Sequence, residues 1–192
     1  MEYLDKIQQK AEEIVKEKGR CVIAVDGRCG SGKSTLALVL AKRMNARCIC
    51  MDDFFLPPEL RTPERLNEAG GNIHYERFAD EVVGHLDDEK LVYGIFKCSI
   101  MRIDGVSCVE NKGVIIVEGS YSTHDRFGKY YDFAVFCDVG SDEQVRRIEK
   151  RNGPMMLKRF TGEWIPMEEK YFAAQNTESK CEFTVKTDMG KE

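Results

Sequence analysis

The sequence GRCGSGKS, from Gly27 to Ser34, decides the fold that this chain is expected to adopt. It contains a glycine, four variable residues, a second glycine, a lysine and a serine, which is the spacing of a phosphate-binding P-loop, or Walker A motif. Residues 22–25 before it are apolar and mostly β-branched, and the residues after it, TLALVLAKRM, favour a helix. These flanks supply the strand, turn and helix that the motif requires. They disfavour the alternative of a merely flexible glycine-rich turn.

The chemistry of the motif follows from its residue types. Gly27, Gly30 and Gly32 let the backbone approach an anion closely and adopt dihedral angles that other residues resist. Successive N–H groups then point into one hollow at a helix N-terminus, where the helix dipole also favours negative charge. In this motif Lys33 bridges the β- and γ-phosphates, and the hydroxyl of Ser34 binds magnesium. We therefore predict a site for ATP and Mg²⁺. The residues expected to bind the nucleotide are Gly27, Gly30, Ser31, Gly32, Lys33, Ser34 and Thr35.

Length and charge restrict the class of protein. A chain of 192 residues is expected to form one domain. The net charge is 29 − 33 = −4 without a long block of like charges, so we expect a small-molecule substrate and neither a nucleic acid nor a membrane as partner. Self-association into a homo-oligomer is left open. The first 19 residues are charged throughout and predict neither a signal peptide nor a membrane span, so we expect a cytoplasmic protein.

The eight cysteines are scattered along the chain without a C-x-x-C pair. Five of them lie in predicted strands, and we expect reduced, mostly buried thiols. Cys48 and Cys50 form a C-x-C pair, which on a buried strand is more often packing than half of a zinc site.

The remaining sequence alternates between strand-like and helix-like segments. We predict helices at about 4–15, 73–86 and 166–175 and from residue 141 onward, strands at 22–25, 46–51, 113–118, 133–139 and 181–187, and a hairpin within 92–109. Asp104 and Gly105 predict the turn of that hairpin. Ser141 and Gln144 have capping-box spacing at a helix start. Residues 56–72 form a loop long enough to be a lid or substrate loop.

Acidic residues follow two of the predicted strands. Asp52 and Asp53 end the second strand, and Glu118 ends the apolar strand GVIIVE. Because open α/β sheets bind ligands at the carboxyl ends of their strands, a functional role is favoured over a helix cap or a solvated strand end. Arg147 and Arg151 share a helix face, which is either an ordinary solvated face or part of a lid.

The combination of motifs resembles the uridine kinase and phosphoribulokinase family of P-loop kinases. The segments that carry the resemblance are GRCGSGKST, MDDFF, YGIFKCS, VIIVEGSYS, DEQVRRIEKR and PMEEKYF. They occur in the family's order across most of residues 20–187. The resemblance implies a single P-loop kinase domain over residues 1–192. Its fold would be the α/β three-layer sandwich of P-loop NTPases, with a mostly parallel central sheet, a small β-hairpin and a helical lid. The implied activity is transfer of the γ-phosphoryl group of ATP to a hydroxyl, in the first place that of a nucleoside.

The resemblance also implies catalytic and metal-binding residues. Asp52 matches the aspartate that takes the proton from the substrate hydroxyl, and Glu118 matches the acid that holds magnesium. Arginines of the lid helix match those that close over the phosphates. The expected catalytic residues are Asp52, Lys33, Arg147 and Arg151, and the expected magnesium-binding residues are Ser34, Glu118 and Asp52.

On the substrate side, the sequence departs from the nucleoside kinases that it resembles. His74 replaces an aspartate that contacts ribose hydroxyls, and Cys98 replaces a histidine that reads the pyrimidine base. Tyr93 matches a tyrosine that stacks near the base, and Asp53 stands where many relatives have a small hydroxyl residue. The expected substrate-binding residues are Asp53, His74, Tyr93 and Cys98.

Two alternative functions remain at this point. A related kinase for pantothenate or a sugar phosphate would share every feature of the nucleotide side and differ only in the acceptor pocket. A nucleotide-binding regulatory ATPase or GTPase without kinase activity is the other alternative. The sequence DRFG at 125–128 has a switch-like spacing, but it does not directly follow a strand.

The two departures predict that uridine and cytidine are poor substrates. Exchanging the family's aspartate and histidine for His74 and Cys98 removes polar partners that nucleosides need, and an unpaired buried polar group costs about 1–3 kcal/mol. Steady-state kinetics with both nucleosides test this expectation. Turnover of about 100 per second at micromolar nucleoside would contradict it and indicate a plain uridine kinase.

Overall fold

Strands and helices alternate along the chain in the computed structural model, which describes residues 2–111 and 113–187. The strands are β1 (Arg20–Gly27), β2 (Arg47–Cys50), β3 (Lys90–Lys97), β4 (Arg102–Glu110), β5 (Gly113–Glu118), β6 (Phe133–Asp138) and β7 (Phe183–Lys186). The helices are α1 (Glu2–Lys18), α2 (Lys33–Met44), α3 (Pro63–Leu66), α4 (Tyr75–Glu81), α5 (Ser141–Arg159), α6 (Ile165–Gln175) and α7 (Thr177–Lys180). A π-helical turn, Phe160–Trp164, joins α5 to α6. None of the described helices is both long and apolar enough to cross a membrane.

Five strands form a central sheet in the order β2-β5-β1-β6-β7, and each neighbouring pair is parallel. The register pairs Val25 of β1 with Glu118 of β5, and Gly27 of β1 with Cys137 of β6. The carboxyl ends of these strands therefore lie together at one edge of the sheet, beside the P-loop. β3 and β4 form a separate antiparallel hairpin. The predicted parallel sheet and small hairpin are confirmed.

Helices cover both faces of the sheet, because side chains along a strand alternate between its two faces. Ile23 and Val25 of β1 belong to a buried cluster with Ile7 of α1 and Leu40 of α2. Val22 belongs to a second cluster on the opposite face. This second cluster contains Phe54, Ile73, Phe78, Tyr171 and Phe172 from outside the sheet. The resulting layers form the predicted three-layer sandwich.

The predicted burial of the second strand and of the cysteines is only partly correct. β2 is an edge strand in which Ile49 alone is buried, so Cys48 and Cys50 are half-buried. Among the eight free cysteines, only Cys21 and Cys137 are fully buried. The expectation of mostly buried thiols was wrong because two cysteines lie on the exposed hairpin and others lie at the edges of the core.

The hairpin turns at a different place from the one predicted. Residues 98–101 connect β3 to β4, and Met101 has φ +55° there. Asp104 and Gly105 lie inside β4, where they oppose the single residue Ile95 between the pairs Gly94–Val106 and Phe96–Ile103. They form a β-bulge, in which Gly105 has φ +116°. The Asp-Gly pair therefore marked a backbone irregularity that needs positive φ, and not the turn itself.

Two predicted helix features also differ in the structure. The amphipathic segment 73–86 forms only the short helix α4, followed by a separate 3₁₀ turn, Val83–His85. Valines and a glycine at this point have lower helix propensity than the residues of α4. The capping box of α5 does not form, because α5 begins at Ser141 with Gly140 in the capping position. Gln144 instead donates its side-chain amide to the carbonyl of Cys29 in the P-loop at 2.9 Å. A tertiary contact thus takes the place of the local one.

A buried carboxylate joins three parts of the sheet edge. Asp26, at the end of β1, is 0% exposed and accepts hydrogen bonds from the backbone N–H groups of Gly27, Tyr121 and Thr123 at 2.7, 3.1 and 2.9 Å. It also accepts from the hydroxyl groups of Thr123 and Tyr171, each at 2.8 Å. Asp26 therefore links the P-loop, the loop after β5 and α6.

Replacing this carboxylate should destabilise the fold strongly. Asp26→Ala leaves several buried donors without an acceptor, and we expect a loss of at least about 3 kcal/mol in the free energy of unfolding. Asp87→Ala is the matched control, because the Asp87 side chain is 91% exposed and forms a surface ion pair with Arg20. The control should lose less than about 1 kcal/mol. Equal losses in urea unfolding of the two variants would contradict the role assigned to Asp26.

Candidate active site

The P-loop has the backbone conformation that its glycines were expected to permit. Gly27, Gly30 and Gly32 all have positive φ values of +128°, +75° and +91°. A Cβ atom at Gly27 would lie 2.1 Å from the carbonyl oxygen of Cys137, so only glycine fits there. Within the described part of the chain, no hydrogen bond is donated by the backbone N–H groups of Gly30, Gly32, Lys33 and Ser34. A row of unused donors at a helix N-terminus fits the phosphates of a nucleotide.

Lys33 lies inside this loop with only 8% of its surface exposed. Its ammonium group donates to the carbonyl oxygens of Gly27 and Arg28 at 2.7 and 2.8 Å. Its charge is therefore already held at the mouth of the loop, where the phosphates are expected.

Side chains from distant parts of the chain hold the P-loop in place. The carboxylate of Glu168, on α6, accepts from the N–H of Cys29 at 2.9 Å. Arg147, on α5, donates to the carbonyl of Gly30 at 3.2 Å and to Thr187 at 2.8 Å, and it also pairs with Glu143. Arg147 lines the cleft, where a lid arginine was predicted. In this structure its guanidinium hydrogen-bonds to the backbone of the P-loop.

The expected magnesium-binding residues lie next to one another. The hydroxyl of Ser34 donates to Glu118 at 3.1 Å, and the thiol of Cys50 donates to the other carboxylate oxygen of Glu118 at 3.3 Å. A hydroxyl and a carboxylate are oxygen ligands of the kind that Mg²⁺ prefers. No group of three His, Cys, Asp or Glu side chains in residues 2–111 and 113–187 could hold a metal ion by itself. The donor set fits a cation that takes its other ligands from the nucleotide and from water.

Asp52 faces the P-loop from the single 3₁₀ turn Met51–Phe54 that follows β2. Solvent reaches its side chain, yet surrounding protein atoms displace much of the water, and this desolvation raises the pKa of Asp52. The negative charge of Glu118 raises that pKa further, and Lys33 and Arg151 act in the opposite direction. A raised pKa makes the ionised carboxylate a stronger base, which suits proton abstraction from a hydroxyl.

Asp53 does not line the cleft. Burial raises the pKa of its carboxyl, and the Asp52 charge adds to this, while Arg77 and the hydroxyl of Tyr93 lower it. Tyr93 is 4% exposed, and its ring lies 5.3 Å from that of Phe54. Both residues belong to the packing between the hairpin and the Asp52 turn.

Of the four expected substrate-binding residues, only Cys98 lines the cleft. His74 caps α4, where its Nδ1 accepts from the N–H of Arg77 at 3.3 Å and lies 3.2 Å from a carboxylate oxygen of Glu76. The structure thus gives His74 a local structural role. Cys98 lies on the exposed turn of the hairpin.

One cleft of about 1350 Å³ brings these groups together. Its floor is the P-loop with Asp52 and Glu118, and its walls are the 56–72 loop, the hairpin turn and the helical lid. α5 bends at Gly153, which has φ +79° and precedes Pro154, and residues beyond the bend line the cleft. Arg151 lies over the ring of Phe160 at 5.9 Å, and Arg159 pairs with Glu163. The predicted helical lid is confirmed in the fold.

Sequence reasoning missed three groups of this site. Asp26 directly precedes the first glycine of the P-loop, and an acid between a buried strand and that glycine was a usable signal. Glu168 lies in PMEEKYF and Asn72 directly precedes Ile73 and His74, but neither was assigned a role, because their contacts depend on tertiary packing. Glu168 reaches the loop from 139 residues away, and Asn72 lines the cleft from the end of the 56–72 loop.

No family model and no curated protein matches the sequence. The fold matches solved structures. A Bacillus stearothermophilus protein described as a possible uridine kinase has a TM-score of 0.69 and 19% identity, over 96% of this chain and 100% of its own. A Silicibacter protein provisionally described as a fructose transport system kinase has a TM-score of 0.70 and 23% identity, over 92% and 97%. A Saccharomyces cerevisiae protein provisionally described as a circularly permuted P-loop kinase has a TM-score of 0.63 and 11% identity, over 95% and 98%.

The chain therefore has the fold of the P-loop kinases. A uridine kinase-like protein is among its structural neighbours, and the resemblance that the sequence motifs indicated holds at the level of the fold. At these identities, the likeness extends to the fold and not to the substrate.

Replacing Lys33 should impair the use of ATP. Lys33→Ala removes the charge expected to bridge the β- and γ-phosphates, so ATP binding, turnover or both should weaken. Lys42→Ala is the control, because Lys42 is exposed in the last turn of the same helix. Calorimetric titration with ATP and Mg²⁺ compares the variants. A Lys33→Ala protein that binds and turns over ATP like the control would refute the assignment of the phosphate site.

Proposed function

We propose that this protein is a kinase that transfers the γ-phosphoryl group of ATP to a hydroxyl group of a small molecule. The observation that carries the proposal is that Asp52, with its raised pKa, lines the same cleft as the unused P-loop amides and Glu118. A regulatory nucleotide switch needs no general base opposite the phosphates. The arrangement therefore favours group transfer to an acceptor over nucleotide binding alone.

In the proposed reaction, the acceptor oxygen attacks the γ-phosphorus of ATP. The O–H bond of the acceptor breaks, and Asp52 takes the proton. The bond between the γ-phosphorus and the β–γ bridging oxygen breaks as the new P–O bond forms, and ADP leaves with that electron pair. The P-loop amides and Lys33 stabilise the negative charge on the phosphate oxygens.

Ser34 and Glu118 would hold magnesium, which supplies positive charge to the phosphate oxygens when it is bound. Arg151 and Arg159, on the lid side of the cleft, have guanidinium groups that suit the transferred phosphoryl group. Closure of the lid over the nucleotide would exclude water and suppress hydrolysis of ATP.

The finer prediction is a nucleoside acceptor. Its support is the resemblance of the motifs, together with a structural neighbour described as a possible uridine kinase. Pantothenate or a sugar phosphate is the second candidate, and one observation favours it. The acceptor side of the cleft carries Arg61, a cation without an ion-pair partner among the described residues, and both of these compounds are anionic whereas a nucleoside is neutral.

Replacement of Asp52 should separate chemistry from binding. Asp52→Asn keeps the shape of the side chain but loses the base, so turnover should fall about 100-fold or more while ATP affinity changes little. A coupled assay for ADP release and a direct ATP titration measure the two quantities.

Asp53→Asn is the neighbouring control, because Asp53 does not line the cleft. It should reduce turnover less than Asp52→Asn does. Large and equal losses in both variants would mean that the base is misassigned. Unchanged turnover in Asp52→Asn would contradict the mechanism.

A further inference from the structure

Arg61 is an arginine of the cleft without an anionic partner among the described residues. Arg61 lies on the 56–72 loop, and its Nε donates to the carbonyl oxygen of Leu56 at 2.7 Å. The Arg61 side chain makes no other hydrogen bond or ion pair within residues 2–111 and 113–187. Arg147 and Arg159 of the same cleft pair with Glu143 and Glu163. Arg151, on the lid side, has no ion pair among the described residues either, and its Nε donates to the side-chain oxygen of Asn152 at 2.7 Å.

The bond to Leu56 fixes the direction of the Arg61 side chain. The N–H of Leu56 in turn donates to the carbonyl of Asn72 at 2.9 Å, so both ends of the loop are tied together. Because only Nε is used, both terminal nitrogen atoms of the guanidinium remain available. Such a pair of nitrogens suits the two oxygens of a carboxylate or phosphate.

Arg61 belongs to the acceptor side of the cleft. It lines this cleft together with Asp52 and Cys98, and Cys98 lies on the hairpin turn. Burial raises the pKa of the Cys98 thiol and the charge of Asp52 adds to this, whereas the charge of Arg61 lowers it. Both charges thus act on the same small region, next to the expected base.

A second polar side chain of this wall, Asn72, hydrogen-bonds to the side chain of Tyr121 but has one polar atom without a partner among the described residues. Asn72 lines the cleft, and its side-chain oxygen is buried without a hydrogen bond to any described residue. Neither His74 nor Tyr93 lines this space, so these two residues, expected to bind a ribose or a base, are absent from this wall of the cleft. The polar groups on this wall include the guanidinium of Arg61 and the side-chain amide of Asn72.

We propose that Arg61 binds an anionic group of the acceptor, so that the substrate is a hydroxyl compound that carries a carboxylate or a phosphate. This inference rests on the kinase function proposed above and names its substrate class. The anionic group anchors the molecule at the 56–72 loop, and its hydroxyl then faces Asp52. A neutral acceptor of the same size leaves Arg61 without a partner in the filled cleft, which is unfavourable.

The test compares matched pairs of acceptors that differ in charge. Suitable pairs are glycerate and glycerol, pantothenate and pantothenyl alcohol, and ribose 5-phosphate and ribose, with uridine as a neutral nucleoside. The first two pairs test a carboxylate and the third a phosphate. We expect kcat/KM to be at least about 10- to 100-fold higher for the anionic member of the pair that fits the cleft, because a hydrogen bond to a charged group contributes about 1.5–3 kcal/mol.

Arg61→Met, which keeps length but removes the charge, should abolish this preference, mainly through a higher KM for the anionic acceptor and with the KM for ATP unchanged. Arg61→Lys should retain part of it. Arg102→Met is the control, because Arg102 is exposed at the start of β4 and does not line the cleft. Thermal unfolding of all variants verifies that they are folded.

Binding in the presence of a non-hydrolysable ATP analogue separates this inference from the kinase proposal. Anionic compounds that bind through Arg61 but are never phosphorylated would support the anion site and refute the kinase function. If no anionic compound binds or reacts better than its neutral counterpart, the inference is overturned. It is also overturned if Arg61→Met impairs ATP binding, or slows all acceptors equally, because Arg61 would then serve the nucleotide.

Discussion

The buried carboxylate of Asp26 is the interaction on which the site depends. It accepts hydrogen bonds from the first glycine of the P-loop, from the loop after β5 and from Tyr171 of α6. These three segments meet at the carboxyl edge of the parallel sheet. Beyond the strand ends, backbone N–H groups no longer find hydrogen-bond partners in neighbouring strands. A single carboxylate accepts hydrogen bonds from all of them, and it thereby joins the P-loop to the loop that follows β5 and to α6.

The cleft built on this edge combines two kinds of wall. The nucleotide side is held rigidly, because Glu168, Gln144 and Arg147 each bind a backbone group of the P-loop. The side proposed to bind the acceptor is formed by the 56–72 loop and the hairpin turn, which are surface segments attached to the core through Phe54 and Tyr93. With this arrangement, changes in the loops can alter which acceptor binds without changing the residues that contact the phosphates.

Local patterns predicted the fold and part of the candidate site. The P-loop, the parallel strands and the acids at positions 52 and 118 follow from spacing and from the rule that parallel strands end at one edge. The hairpin turn was misplaced because an Asp-Gly pair serves a bulge as well as a turn. Gln144 was assigned to a local cap but binds Cys29, 115 positions away. The role proposed for Arg61 follows only from its place in the cleft and its contact with Leu56. Contacts of this kind are set by tertiary packing and leave no periodic signal.

The most direct test of the account is a crystal structure of the protein with magnesium and a non-hydrolysable ATP analogue. The account predicts that the β- and γ-phosphates bind the N–H groups of Gly30, Gly32 and Lys33, and that the terminal phosphate faces Asp52 across the cleft. A nucleotide bound elsewhere, or one whose terminal phosphate points away from Asp52, would contradict it.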